Sequence, residues 1–104
     1  MAACSARLDG HCGVVTVQGD LTALVVPEIG RELKDMIAQG VRELVFDLSF
    51  TSMLDSSGIG LLIAAANTVA PHAGIVRVTH VSAEIFRLLQ SMRLVTRLHV
   101  SQAE

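Results

Sequence analysis

The stretch DLSFTSMLDSSGIGLLIAAANTV, residues 47–69, changes character at its centre. An apolar run ends shortly before the residues DSSG, 55–58. Residues 56–70, from the first of these serines onward, contain no charged side chain. We expect a helix that begins at Ser56 or Ser57 and ends before Pro71, because the residue ahead of a proline disfavours the helical conformation. The four residues DSSG therefore mark the start of a helix that follows a strand.

A β-hairpin is predicted at the beginning of the chain, from residues 4–8 and 11–18. The dipeptide Asp9-Gly10 is typical of a two-residue hairpin turn. This turn pairs Leu8 with His11, Cys4 with Val15, and Cys12 with Arg7. The thiols of Cys4 and Cys12 then lie on opposite faces, so we expect reduced cysteines, as in cytosolic proteins.

The remaining segments alternate between helix and strand patterns. Helices are predicted over residues 27–39 and after a Ser82 cap, each with one buried apolar stripe. The stripe residues are Ile29, Leu33, Met36 and Ile37 in the former helix, and Ile85, Leu88, Leu89 and Met92 in the latter. Strands are predicted over residues 42–48, 75–81 and 97–100. The composition of residues 42–48 favours a strand that is buried on both faces.

The fold class follows from this order, β-β-α-β-α-β-α-β. At 104 residues, with 51% hydrophobic residues and 17% charged residues, the chain suits one domain, residues 1–104, with an aliphatic core. Right-handed crossovers place the strands of such units in parallel. We expect an α/β domain with an N-terminal hairpin, a mostly parallel four- to five-stranded sheet and three or more helices.

Charge and hydropathy restrict the classes of partner. The net charge is −2 and no basic run occurs, so we expect no nucleic-acid partner. No apolar run reaches the roughly 20 residues that a membrane-spanning helix needs, so we expect no membrane insertion. The sequence favours a soluble, cytoplasmic protein.

The DSSG residues have two interpretations. Asp55 or Ser56 can cap the free backbone N–H groups of the helix, and capping alone explains many such sequences. A helix N-terminus also accepts phosphate, so a serine hydroxyl there suits phosphorylation.

The helix after these serines has an unusual outer face. If Ile59, Leu62, Ile63 and Ala66 are buried, then the outward residues are Leu61, Ala64, Ala65 and Thr68. An ordinary surface helix carries charges there. This face indicates a docking surface for a partner protein, with burial by other elements as the alternative.

The segment VFDLSFTSMLDSSGIGLL resembles the signature of STAS domains of the bacterial anti-sigma factor antagonist group. The segment GDLTALVVPEIGRELKDMI is similar to the loop and first helix of that family. Where the family often has another Asp, this chain has Thr22.

The resemblance implies a partner-switching regulator without enzymatic activity or cofactor. The unphosphorylated form would bind an anti-sigma factor that is also a serine kinase of the histidine-kinase-like ATPase fold. Phosphorylation of Ser56 would release it, and a metal-dependent serine phosphatase would reset the system. The expected neighbours of the phosphorylation site are Asp20, Asp55, Ser57 and Gly58, and the expected partner contacts are Thr22, Met53, Leu54, Ile59, Gly60, Leu61, Ala64 and Ala65.

Other classes of function fit less well. A receiver domain that used Asp47 would need more carboxylates and a lysine near a later strand, whereas Lys34 lies in a predicted helix. A serine hydrolase would need a Gly-x-Ser-x-Gly elbow and a base, and the four histidines are scattered. GIGLLI lacks the third glycine of a dinucleotide loop. The remaining alternative is a STAS subunit that is never phosphorylated, acting as a scaffold or as the partner of a transporter ATPase.

Overall fold

An antiparallel hairpin begins the fold in the computed structural model, which describes residues 2–103. Strand β1 spans Cys4–Asp9 and β2 spans Cys12–Val17. Asp9 faces Cys12, so the turn consists of Gly10 and His11, and the predicted Asp9-Gly10 turn was wrong. Gly10 adopts a φ of 63°, which glycine tolerates at the first central position of a hairpin turn.

The corrected register leaves the cysteines apart. Cys4 faces Val17 rather than Val15, and Cys12 faces Asp9 rather than Arg7. Because the register moves by two residues, no side chain changes face, and the two thiols still lie on opposite faces. Both cysteines are free, and burial raises the pKa of the Cys4 thiol.

Three further strands complete one sheet, in the order β1-β2-β3-β4-β5. Strands β3 (Glu43–Asp47), β4 (Ile75–Val81) and β5 (Val100–Gln102) extend it in parallel to β2. This confirms the predicted mostly parallel sheet.

The last strand begins later than predicted. Residues 97–99 precede it in a helical turn, in which the Leu98 N–H donates to the Leu94 carbonyl at 2.9 Å. Leu94 and Leu98 are both buried. Their spacing of four residues fits a helical turn. The pattern of residues 97–100 had favoured a strand, and the two patterns compete over this short segment.

The helices are α1 (Val26–Ala38), α2 (Ser56–Val69) and α3 (Ala83–Ser91), with a short 3-10 helix at Ala70–His72. The start and end of α2 confirm the prediction from DSSG and Pro71. The three helices connect β2 to β3, β3 to β4 and β4 to β5, so the chain crosses the sheet in one direction. Right-handed crossovers then place all three helices on the same face.

Within residues 2–103 no helix lies over the other face of the sheet, and burial along β3 alternates accordingly. Leu44 and Phe46 are fully buried, whereas Val45 is half-buried. The expectation that this strand is buried on both faces was therefore wrong. On the uncovered face, Arg77 forms an ion pair with Glu43 at 2.8 Å.

Two helix faces also differ from the predicted ones. In α2, Ala65 is buried although it was expected to face outward, and Ile63 and Ala66 are only half-buried. The buried face of this helix is rotated by one residue position from the predicted face. In α3, Ile85 and Leu89 alone are buried. Leu88 and Met92, expected in the core, are 39% and 46% exposed.

Gly58 sets the position of α2. A Cβ atom at Gly58 would overlap with the carbonyl oxygen and side chain of Leu21. Leu21 is fully buried in the loop between β2 and α1. The first turn of α2 can therefore pack directly against the backbone of that loop only with glycine at this position.

We predict that Gly58→Ala destabilises the domain by about 1–3 kcal/mol, since the overlapping atoms belong to backbone and a buried leucine. Gly60→Ala is the matched control, because Gly60 lies in the same helix with open space around it. Alanine there should raise stability by up to about 1 kcal/mol through its higher helix propensity. Denaturant unfolding of both variants measures the difference, and equal stabilities would contradict the packing described.

Candidate functional site

Two loops meet at the carboxyl end of the parallel strands. The first, the α1 loop, comprises residues 18–25 and leads into α1. The second, the α2 loop, comprises residues 48–55 and leads into α2. Leu21 and Leu54 form a parallel β-bridge. The Leu21 N–H donates to the Met53 carbonyl at 3.1 Å, and the Asp55 N–H donates to the Leu21 carbonyl at 3.2 Å.

Side chains add further bonds between these loops. Asp20 Oδ1 accepts the N–H groups of Ser52 at 3.0 Å and Met53 at 3.1 Å. The hydroxyl of Thr51, a buried residue, donates to the Gly19 carbonyl at 2.7 Å. Backbone groups that are commonly solvated in loops are thus paired across the two segments, and this restrains the start of α2.

Asp55 joins the helix to the α1 loop. As the N-cap of α2, it accepts the Gly58 N–H on Oδ1 at 2.8 Å. Its Oδ2 accepts the Ala23 N–H at 2.9 Å. The hydrogen bonds from Ala23 and Gly58 hold the pKa of the Asp55 carboxyl below its ordinary value, since they favour the charged form.

Ser56 is the first residue of α2, and its side chain is exposed. Ser57 beside it is also exposed, whereas Gly58 is buried. The expected neighbourhood of Ser56 divides by role: Asp55 caps the helix, and Asp20 holds the loop that precedes it. The exposed side chain of Ser56 is therefore accessible to another protein.

Two of the four histidines, His80 and His99, lie within hydrogen-bond distance of groups other than Ser56. The Nδ1 of His99 lies 3.0 Å from the Val76 carbonyl, and that of His80 lies 3.0 Å from the Thr79 hydroxyl. Across residues 2–103, no group of three or more His, Cys, Asp or Glu side chains could hold a metal ion. None of the helices in the same range is both long enough and apolar enough to cross a membrane.

The residues expected to contact a partner differ in exposure. Met53, Gly60 and Ala64 are exposed, and Thr22 and Leu61 are half-buried. By contrast, Leu54, Ile59 and Ala65 are at most 8% exposed, because their side chains pack in the core. These three support the surface from beneath and offer a partner little area.

Two exposed apolar residues near the site were not predicted. Leu24, in the α1 loop, is 92% exposed, and Phe50, in the α2 loop, is 63% exposed. Leu24 follows Ala23, whose N–H is held by Asp55. The available signal was an apolar side chain within a turn-like segment that has no strand or helix periodicity. Such residues on a restrained loop suit contact with another protein.

We predict that the stability conferred by the Asp55 carboxylate disappears in acid. A lowered pKa in the folded state means that this stabilisation is complete above about pH 4 and is lost as pH falls further. Asp55→Ala should therefore unfold more easily than the wild type at pH 7, and the difference should shrink below about pH 4. Urea unfolding across this range measures it.

Asp35→Ala is the control for this experiment, because Asp35 is an exposed residue of α1 away from the two loops. At pH 7 this variant should be at least as stable as the wild type, because no contact between the loops is lost and alanine favours the helix. A difference between wild type and Asp55→Ala that stays constant down to pH 2 would contradict the assigned role of the charge.

Comparison with known proteins agrees with this geometry. The family model described as "Mlab, STAS domain" matches residues 4–99. The anti-sigma-B factor antagonist of Staphylococcus aureus is 30% identical over 88 residues, which cover 85% of this chain and 82% of the relative. The antagonist of Staphylococcus epidermidis is 28% identical over the same length and coverage.

Solved structures share the fold. The Bacillus cell fate determinant SpoIIAA in its phosphorylated form is similar, with a TM-score of 0.79, 21% identity, and coverage of 98% of this chain and 92% of that chain. An anti-sigma factor antagonist from Mycobacterium paratuberculosis has a TM-score of 0.80 at 21% identity and covers 93% and 82%. The chain therefore belongs to the STAS domain family, in which its curated relatives are anti-sigma factor antagonists.

Proposed function

We propose that this protein is an anti-sigma factor antagonist controlled by phosphorylation of Ser56. Its unphosphorylated form binds an anti-sigma factor, which is a serine kinase of the histidine-kinase-like ATPase fold. Phosphorylation of Ser56 releases the two proteins, and a metal-dependent serine phosphatase restores the binding form. In this role the chain acts in the cytoplasm as a binding protein and a substrate, not as an enzyme.

The observation that carries the proposal is the placement of Ser56. Its side chain is exposed at the first position of α2, and the preceding Asp55 ties that position to a second loop. A kinase can therefore reach the hydroxyl in a fixed geometry. The relatives support the same role, since they are antagonists by name, and SpoIIAA has been solved both with and without phosphorylation.

The charges around Ser56 favour a phosphate that faces the partner. The α1 and α2 loops contain no lysine or arginine, and their charged residues are Asp20 and Asp55. Phosphorylation adds about −1.5 to −2 charges at pH 7. With no cation on these loops to pair with it, the new charge is left to act on the docked protein.

Release of the partner on phosphorylation requires only a modest change in binding free energy. A 100-fold loss of affinity corresponds to about 2.7 kcal/mol. Desolvating a phosphate in a tight interface, together with repulsion between like charges, can supply that amount. The exposed side chains of Leu24, Phe50 and Met53 would provide the apolar contacts that hold the unphosphorylated form.

A kinase assay tests the proposal directly. We predict that incubation with a cognate anti-sigma kinase and ATP adds one phosphate to the wild-type protein and none to Ser56→Ala, as read by intact mass. Ser57→Ala is the matched control, because Ser57 is exposed on the same turn, and it should still gain one phosphate. No phosphate with any cognate kinase would favour a non-phosphorylated interaction subunit instead.

Binding measurements test the switch itself. We predict that Ser56→Ala binds the kinase as tightly as the unphosphorylated wild type and stays bound when ATP is added. Ser56→Asp should bind about 100-fold more weakly, equivalent to about 2.7 kcal/mol. Calorimetric titration gives both constants, and equal affinities of the two variants would refute the switch.

A further inference from the structure

Strand β4 is covered by β5 along only part of its length. Alternate residues of a strand bond to opposite neighbours, and the Ile75 N–H donates to the Arg42 carbonyl, on the side of β3, at 3.1 Å. Val76 and Val78 therefore direct their backbone groups towards β5. The Val78 N–H donates to the Leu98 carbonyl at 3.0 Å. Since β5 begins opposite Val78, no strand of the described chain lies beside Val76 on that side.

Val76 consequently has one paired and one unpaired backbone group. Its carbonyl lies 3.0 Å from Nδ1 of His99. Its N–H donates to no acceptor among residues 2–103, although Val76 is only 1% exposed. Buried N–H groups without a partner are rare in folded proteins, because their desolvation costs free energy. The Val76 N–H is therefore a donor that a ligand can satisfy.

A cavity of about 160 Å³ adjoins this edge of β4. We call it the β4 cavity, and it lies between the end of α2, the start of β4 and the turn before β5. Its lining includes Val76 and the polar side chains of Asn67, Arg97 and His99, and it contains no carboxylate. Since a water molecule occupies about 30 Å³ in the liquid, the β4 cavity accommodates a group of several heavy atoms.

Arg97 gives the β4 cavity a positive charge. Its guanidinium donates to Oδ1 of Asn67, which is a neutral group. Arg97 takes part in neither of the two ion pairs found within residues 2–103. A guanidinium carries five N–H donors, and the bond to Asn67 uses one of them. The others suit an anionic oxygen, which forms the stronger kind of hydrogen bond with arginine.

His99 supplies an acceptor to the same cavity. Its Nδ1 faces the Val76 carbonyl, which can only accept, so Nδ1 carries a proton. In a neutral imidazole the other nitrogen, Nε2, is then an acceptor. The backbone of His99 has a φ of 49°, a conformation that is uncommon for residues other than glycine and is often retained at ligand sites. The β4 cavity therefore combines two donors, the Val76 N–H and Arg97, with one acceptor.

We propose that the β4 cavity binds a small oxyanion that also carries an O–H group, of which hydrogen phosphate is the simplest example. Its anionic oxygens accept from Arg97 and from the Val76 N–H, and its O–H donates to Nε2 of His99. Asn67 lies about 16 Å along α2 from Ser56, at 1.5 Å per residue. Anion binding there does not depend on the proposed phosphorylation switch.

An NMR titration of the backbone amides tests this, with inorganic phosphate as the probe and sulfate as the matched control ion. In mildly alkaline buffer both ions are dianions of similar size, but only phosphate retains an O–H. We expect phosphate to shift the amide proton signal of Val76. Sulfate should bind about tenfold more weakly, since it has no O–H for Nε2 of His99.

Variants of the two polar side chains assign the binding to this cavity. Arg97→Gln and His99→Asn should each bind phosphate about tenfold more weakly than the wild type. Glutamine keeps a donor for Asn67, and asparagine tolerates the left-handed conformation at position 99. Arg31→Gln is the matched control, because Arg31 is an exposed residue of α1 outside the cavity, and it should bind as the wild type does. Circular dichroism verifies folding, and if one cavity variant does not fold, the other decides.

Three results would overturn the site. An unmoved Val76 signal at high phosphate concentration would remove the assigned donor. Equal affinities for phosphate and sulfate would contradict the ligand class, and wild-type affinity in a folded cavity variant would place the anion elsewhere. None of these results bears on Ser56, because the titration contains neither kinase nor ATP.

Discussion

The bidentate use of one carboxylate, that of Asp55, is the interaction on which the site depends. One oxygen caps α2 through Gly58, and the other holds the α1 loop through Ala23. Each bond satisfies a backbone N–H that would otherwise lack a protein partner, and the negative charge suits the helix N-terminus. Ser56 follows this anchor directly, so its position is defined by the cap and not by its own contacts.

Topology explains why these groups meet. Parallel strands β2 and β3 end at the same edge of the sheet, so the loops that leave them lie side by side. The absence of a Cβ at Gly58 lets α2 approach the Leu21 backbone, and the β-bridge between Leu21 and Leu54 joins the loops. A surface of exposed apolar side chains can be kept on loops here because the loop backbones are paired to each other.

The placement of all helices on one face divides the molecule into surfaces with different roles. The covered face holds the core, and the uncovered face carries half-buried side chains and an ion pair. The edge with Ser56 carries the exposed apolar side chains of Leu24, Phe50 and Met53. The acidic and apolar character of that edge suits protein contact more than nucleic-acid binding. The proposed contact at Ser56 lies there.

Much of this arrangement could be predicted from local patterns. Asp55, Ser56 and Gly58 indicated the start of α2, Pro71 indicated its end, and the order of elements indicated the parallel sheet. Local patterns failed where two periods compete over a short segment. Leu94 and Leu98 satisfy a helical turn as well as a strand boundary, and the hairpin accepts turns at Asp9-Gly10 or Gly10-His11 with the same faces.

The sequence by itself determined the elements, the fold class and the serine at the start of α2, because capping, proline and apolar periodicity act over a few neighbouring residues. Only the tertiary structure decided which apolar residues remain outside. Leu88 and Met92 fit the core stripe of a helix in the sequence, yet the domain leaves them exposed. Burial depends on which distant elements pack over a side chain, and that information is absent from its local pattern.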